Sequence, residues 1–295
     1  MMTRSSAATE KKIAIRRANV ADAKACGPIA YKAFEHIAER HGFPPDFPSP
    51  EVATEVLSWL FSLPRYFAVV AELDGRIVGS NGLDERSPIS GIGPITIDPS
   101  LQNSGIGRAL MQAVIDRGAQ STPAGVRLVQ AAYHNRSLSL YLKLGFEARE
   151  PLSVMNGQLK PRKIPGHEVR PGNQVDLEAC RELSLRVHGM DRSAEMADGI
   201  QSGSARVVMR EGRVTGYASG LGFFGHAIGE TNQDLQALIA SVEAFVGPGI
   251  LVPTRNGTLM RWCFDNGLRI VFPATLMSKG LYQEPSGAWL PSILF

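Results

Sequence analysis

The chain has 295 residues, about twice the common domain size, so two domains are expected, each long enough to bury its own core. At 44% hydrophobic and 20% charged, with a net charge of +3 and scattered Lys and Arg, it is an ordinary globular composition. Nothing in it points to nucleic acid, although a local basic pocket for an anionic ligand is compatible with it. The three cysteines, Cys26, Cys180 and Cys263, are odd in number and far apart, which excludes a readable disulfide framework or CxxC metal knuckle and fits a reducing compartment.

The opening MMTRSSAATEKK is polar and lacks the apolar core of a signal peptide, and no apolar run is long enough to cross a bilayer. A cytoplasmic protein with a disordered leader over residues 1–11 is expected, with no membrane partner. Ile13 to Arg17 alternates as a short strand. A helix follows with Cys26, Ile29, Ala30, Ala33 and Ile37 on one face, Asn19 able to cap it and Asp22 placed to close a capping box. The segment His41-Gly42-Phe43-Pro44-Pro45-Asp46-Phe47-Pro48 cannot be regular structure. A short helix over Glu51 to Leu63 leads to strands Tyr66–Leu73 and Arg76–Leu83, joined by the hairpin signal Asp74-Gly75. A strand around Gly93 to Asp98 and a glycine-containing loop come next. The helix after them carries Leu110, Met111, Val114 and Ile115 on one face. Strand Val126–Ala131, a helix near Ser137 to Lys143 and the turn Leu144-Gly145-Phe146 complete the unit.

Met155 to Gly166 is polar and broken by Pro and Gly, as a linker is, and beyond it the opening pattern recurs. Arg16, Asn19, Asp22, Ala25 and Cys26 match Arg170, Asn173, Asp176, Ala179 and Cys180. Gly75-Arg76-Ile77-Val78-Gly79 matches Gly212-Arg213-Val214-Thr215-Gly216, and Asn135, Ser137, Leu138 and Tyr141 face Asn256, Thr258, Leu259 and Trp262. Three matches in the same order argue for a duplicated unit. The boundaries expected are 12–157 for the first domain, 158–166 for the linker and 167–295 for the second. In that second domain Leu235, Leu238, Ile239, Val242 and Val246 have the spacing of a buried helical face. The apolar C-terminus, Ala288 to Phe295, is expected to tuck into the junction of the halves.

The halves differ most in one loop. The first has Ile95-Thr96-Ile97-Asp98-Pro99-Ser100-Leu101-Gln102-Asn103-Ser104-Gly105-Ile106-Gly107-Arg108, a strand feeding a two-glycine loop that opens into a helix. First-turn N–H groups lack partners within a helix, and glycines let them approach phosphate oxygens closely. The second half has Gly229-Glu230-Thr231-Asn232-Gln233-Asp234-Leu235, without those glycines and with two acids, which would repel a phosphate. A P-loop is excluded because no Gly-Lys-Ser/Thr follows, and a dinucleotide fingerprint is disfavoured because the third glycine is missing.

Gln102-x-x-Gly105-x-Gly107 after Asp98-Pro99 resembles the acyl-CoA motif of the GCN5-related N-acetyltransferases, and Leu140-Tyr141-Leu142-Lys143-Leu144-Gly145-Phe146 is similar to their Leu-Tyr-x-Lys-x-Gly-Phe signature. The resemblance covers roughly Ile13 to Glu150; the second half resembles the degenerate domain of tandem members in topology and a few residues. It implies an α/β fold of two tandem domains, each a central mixed, mostly antiparallel sheet flanked by helices. It also implies direct transfer of an acetyl group from acetyl-CoA, or another short-chain acyl-CoA, to a primary amine of a small molecule or peptide.

By the same resemblance, backbone groups of Ile95, Thr96 and Ile97 meet the pantetheine, and N–H groups from Gln102, Asn103, Ser104, Gly105, Ile106, Gly107 and Arg108 hold the pyrophosphate. Tyr141 is the candidate general acid for the departing thiolate. Where the family places a CoA-contacting Asn, this chain has His134, with Asn135 one residue later: either the loop shifts by one, leaving Asn135 as the contact, or His134 has another role. Asp84 and Glu85, just past the hairpin, are candidates for the base, and His41 to Pro48 for a wall of the acceptor site. Six scattered histidines show no metal-ligand spacing, so no metal is expected. The alternatives are a non-catalytic acyl-CoA-binding or regulatory protein and a scaffold of two interaction modules.

Overall fold

A computed structural model describes residues 13–122, 124–159 and 162–294; the leader expected at 1–11 and residues 160–161 of the expected linker lie outside the described residues. The first half runs β1 (Ile13–Arg17), α1 (Ala23–Arg40), α2 (Pro50–Ser62), β2 (Tyr66–Leu73), β3 (Arg76–Asp84), β4 (Ser90–Ile92), β5 (Thr96–Ile97), α3 (Ile106–Ser121), β6 (Gly125–Ala131), α4 (Asn135–Lys143) and β7 (Glu147–Gly157). The second runs β8 (Glu168–Pro171), α5 (Leu177–His188), α6 (Ser193–Ser202), β9 (Arg206–Arg210), β10 (Arg213–Ala218), β11 (Ala227–Gly229), α7 (Asn232–Ile239), β12 (Ile250–Pro253), α8 (Gly257–Asp265), β13 (Leu268–Gly280) and β14 (Ala288–Leu290).

The local devices come in pairs. Asn19 with Asp22, and Asn173 with Asp176, close capping boxes on the short 3-10 turns that lead into α1 and α5. Each box is clamped by a two-pronged arginine: Arg16 meets Asp22 at 2.8 and 2.9 Å, and Arg170 meets Asp176 at 2.8 and 2.7 Å. Both hairpins turn through two residues of positive φ, Asp74 (52°) with Gly75 (76°) and Glu211 (53°) with Gly212 (76°), the twist that suits a two-residue connection.

The strands form one sheet ordered β1-β2-β3-β4-β6-β13-β7-β12, with β5 on β3, and a second ordered β14-β11-β10-β9-β8. The fold is a mixed, mostly antiparallel α/β arrangement with helices on the sheet faces. Strand order holds a feature that no local sequence pattern announces. β13 of the second half lies between β6 and β7 of the first, and β7 in turn pairs with β12 of the second. The exchange is reciprocal in register, since Ala131 faces Ala274 while Pro253 faces Leu152. The core follows suit: Leu152 and Val154 pack in one cluster with Leu183, Val207, Tyr217, Leu251 and Leu276.

Two expected elements differ. Of the strand expected over Gly93 to Asp98 only β5 (Thr96–Ile97) forms, set off from β4 (Ser90–Ile92) by Gly93-Pro94, because proline has no N–H to continue a ladder. The helical face expected to reach Val246 ends with α7 at Ile239. Val246 is 70% exposed and its backbone bonds to Leu221 and Phe223 instead, ahead of Gly247-Pro248-Gly249. The C-terminal segment lies between the halves: β14 pairs with β11, Ile293 N–H donates to the Phe223 carbonyl at 2.7 Å, and Leu294 is buried against Gly91.

Candidate functional site

The break at Gly93-Pro94 opens the site. Toward β3 the ladder persists, with Gly93 N–H on the Gly82 carbonyl and Asp98 N–H on the Val78 carbonyl at 3.0 and 2.9 Å. Toward β6 it stops at Ser90 and Gly91, so among the described residues β5 has a strand neighbour on one edge only. Ile95, Thr96 and Ile97 on one side and Leu128 to Ala131 on the other line the resulting cleft, part of a cavity of about 1060 Å³. In the second half the equivalent edge is taken: β11 pairs with β10 as β5 does with β3, and β14 occupies its other side.

The cleft ends at the start of α3. Asn103 (φ 67°) and Gly105 (φ 86°) take left-handed conformations that turn successive N–H groups to one side, an arrangement suited to an anion. Gly105 caps α3 without any side-chain bond, and no backbone N–H from Gln102 to Arg108 donates to another described residue. Gly107 keeps the helix close to β5 and α4; a Cβ there would lie 3.0 Å from Ile97 Cδ1 and 3.5 Å from Leu140 Cδ2. Arg108, Arg136 and Lys143 also line the cavity and have no ion-pair partner among the described residues. At α7 the same end is closed: the Thr231 hydroxyl accepts from Asp234 N–H, and the Asp234 carboxylate accepts from Thr231 N–H at 2.8 Å and its hydroxyl at 2.7 Å. The chain's own Asp234 carboxylate thus stands where an anion would sit.

Tyr141, on α4, lines the cavity and is 6% exposed, with its ring edge-on to Phe146. Its hydroxyl has no hydrogen-bond partner among the described residues, and burial lifts its pKa, so it carries its proton at neutral pH. His134 is the N-cap of α4: its Nδ1 accepts from Ser137 N–H at 3.2 Å, as the Asn256 side chain accepts from Leu259 N–H in α8. The register of the repeat is thus shifted by one residue from that which faces Asn135 with Asn256. Burial, with Arg136 nearby, brings the His134 pKa down to about 4, so a neutral ring serves the cap. Asn135 is exposed and is not among the residues lining the cavity.

Neither candidate base lines the cavity. Asp84 is bound by Arg86, which also reaches Asp198 of the second half at 2.8 Å. Glu85 pairs with Arg117 at 2.7 Å; burial opposes its charge, but Arg117, Ser121 and Arg17 together outweigh burial and hold its pKa below the usual range. From the second half, Glu195 lines the cavity but is saturated by Arg192, His226 and the Ser87 hydroxyl.

The carboxylate that sequence reasoning passed over is Asp46, within the irregular His41–Pro48 segment. Phe43 stacks on Tyr133 with centroids 4.5 Å apart and Phe47 meets Phe34 edge-on at 5.6 Å, pinning the segment at both ends. Asp46 lines the cavity, and its Oδ1 is shut from solvent without a hydrogen-bond partner. Burial raises its pKa to about 7. Its local signal was weak, because an Asp among prolines reads as turn chemistry. Among the described residues no group of three or more His, Cys, Asp or Glu could hold a metal ion, and no helix is long and apolar enough to cross a membrane.

Residues 32–146 match the model of the acetyltransferase (GNAT) family. None of the curated proteins matches the chain. Among solved structures, 98% of the chain aligns with 97% of an inferred acetyltransferase from Pyrococcus horikoshii, at a TM-score of 0.71 and 17% identity. A GCN5-related N-acetyltransferase from Sphaerobacter thermophilus aligns over 94% of this chain and 98% of its own, at a TM-score of 0.59 and 16% identity. At these identities the likeness is one of fold, GNAT-like, and it extends over both halves.

Proposed function

We propose that this protein is an acetyl-CoA-dependent N-acetyltransferase that acylates a primary amine of a small molecule or peptide, with one cofactor site, in the first half. The observation that carries this reading is the uncapped start of α3 at the end of a cleft whose β5 edge is unpaired. N–H groups from Gln102 to Arg108 hold the pyrophosphate, and the free edge of Ile95, Thr96 and Ile97 pairs with the pantetheine amides. Arg108, Arg136 and Lys143 add favourable charge at the phosphate end.

Bound acetyl-CoA supplies an activated acetyl thioester. Tyr141, kept protonated by burial, gives its proton to the sulfur as the C–S bond breaks. The second half is a copy of the same unit, spanning about 167–295, whose cofactor cleft is filled by β14 and whose helix start is closed by Asp234; its role is to complete the sheet and wall the acceptor end. Calorimetry tests the assignment: one acetyl-CoA per chain is expected, and two equivalent sites, or none, would overturn it. Transfer is read by thiol release over a panel of amines.

A further inference from the structure

Away from the cofactor loop, the cavity is walled by rings contributed by both halves. Trp59 of α2 meets Phe224 at 5.7 Å, Phe224 meets Phe223 at 6.0 Å, Phe223 meets Phe272 of β13 at 6.4 Å, and Phe272 meets Tyr133 at 6.1 Å. Tyr133 in turn stacks on Phe43. Five of these rings line the cavity, as do Phe34 and Phe47. Into this belt projects Asp46. Of the four carboxylates that line the cavity, Glu195 and Asp198 are engaged by arginines and Glu55 is exposed. Asp46 has a buried oxygen with no donor. A carboxylate left unpaired in an apolar wall is destabilising unless something else pairs with it.

We propose that the acceptor is an apolar, aromatic primary amine whose ammonium group binds Asp46 and whose hydrocarbon part fills the ring-lined end of the cavity, with Asp46 taking the ammonium proton before acyl transfer. This rests on the N-acetyltransferase reading above and adds to it a substrate class and a base. Asp46 takes one proton from the ammonium, and the freed nitrogen lone pair forms the C–N bond as the C–S bond breaks. Tyr141 gives a proton to the sulfur and regains one from the acylated nitrogen, leaving a neutral amide, a thiol and one proton on Asp46 for solvent. A pKa of about 7 suits a group that must both lose and accept a proton near neutrality. Titratable or charged groups facing this region are Tyr133, whose hydroxyl feels the Asp46 charge, His134 on α4, Glu55 on α2, and Glu195 and Asp198 from α6, the last held by Arg86; His41 stands beside the Tyr133 ring.

The test is calorimetric titration of the full chain, saturated with CoA, with 2-phenylethylamine and with putrescine, between pH 5.5 and 8.5. Both amines stay cationic over this range, so their own ionisation does not change, and the Asp46→Asn profile separates the Asp46 titration from that of the CoA phosphate. 2-Phenylethylamine is expected to bind at least tenfold more tightly than putrescine, and more tightly as pH rises through 7. Asp46→Asn is expected to lose that pH dependence and at least tenfold in affinity, with CoA affinity unchanged. Tighter binding of putrescine, or a flat wild-type pH profile, would overturn the proposal, and neither readout requires the variant to fold. An Asp46→Asn profile matching wild type would overturn the role of Asp46. Failure to bind CoA would instead sink the acetyltransferase reading, and the amine titration would still report on Asp46.

Discussion

Gly105→Val separates the two jobs of the loop residue at the start of α3. The backbone there has φ 86° and ψ −11°, and nothing lies within 4 Å of where a Cβ would be, so the substitution meets no collision. Its cost is conformational: an L-residue in the left-handed region costs about 1–2 kcal/mol, and a β-branched one sits at the upper end. At about 2.1 cal/mol/K per residue, a chain of this length has an unfolding entropy of roughly 0.6 kcal/mol per degree, so a fall in Tm of about 2–3 °C is expected. If the loop relieves the strain by turning, its N–H groups leave the phosphate. Charge-assisted hydrogen bonds contribute about 1.5–3 kcal/mol each, so losing one weakens acetyl-CoA by roughly tenfold to 150-fold. Differential scanning calorimetry and isothermal titration read the two effects on one preparation. Gly107→Ala, whose Cβ meets side chains that can shift, is the milder control. A Gly105→Val protein in which neither Tm nor acetyl-CoA affinity falls would refute the reasoning, since the strain must either be kept or be relieved at the expense of the anion site.

Tyr141→Phe is expected to lower kcat by tenfold or more while acetyl-CoA affinity stays within about twofold, because the hydroxyl acts on charge that develops during transfer; single-turnover rates check it. His134→Ala removes the α4 cap and is expected to cost about 1 kcal/mol in urea melts, whereas His134→Asn, the residue used at α8, is expected to restore most of it. Because the His134 pKa is depressed to about 4, its contribution is present above the unfolded value of 6.5 and is lost as pH falls toward 4. His134→Asn should flatten that part of the stability profile. Residues 1–157 alone lack β12 and β13, leaving one edge of β6 and both edges of β7 unpaired, and are expected to aggregate; co-expression with residues 158–295 is expected to recover a soluble complex, read by gel filtration.

The paired caps and hairpins were legible because such devices are local. An Arg-x-x-Asn-x-x-Asp string specifies its own clamp and capping box, and a positive-φ pair specifies its own hairpin. The left-handed turn at Asn103 and Gly105 that opens α3, the loop proposed to hold the cofactor, was legible for the same reason. Strand exchange was not, since β13 suits β6 and β7 as well as any other apolar strand would, and nothing local chooses the partner. The shifted register at α4 hid behind chemistry: His134 and Asn256 both offer a short-range acceptor for a helix start, yet only the asparagine looks like a cap in sequence. Asp46 gave no signal because its raised pKa comes from burial, and the packing of its segment, Phe47 on Phe34 of α1 and Phe43 on Tyr133 after β6, is tertiary.

Phe272 and Ala274 sit on β13, yet they line the cavity beside the cleft proposed for the cofactor in the first half. Part of that chamber is therefore encoded more than a hundred residues away from Gly105. On the proposed reading, drift in the later part of the gene can recast which guest is welcomed without disturbing the loop that holds the acyl donor. A lineage carrying this arrangement has one region to preserve and another with which to experiment.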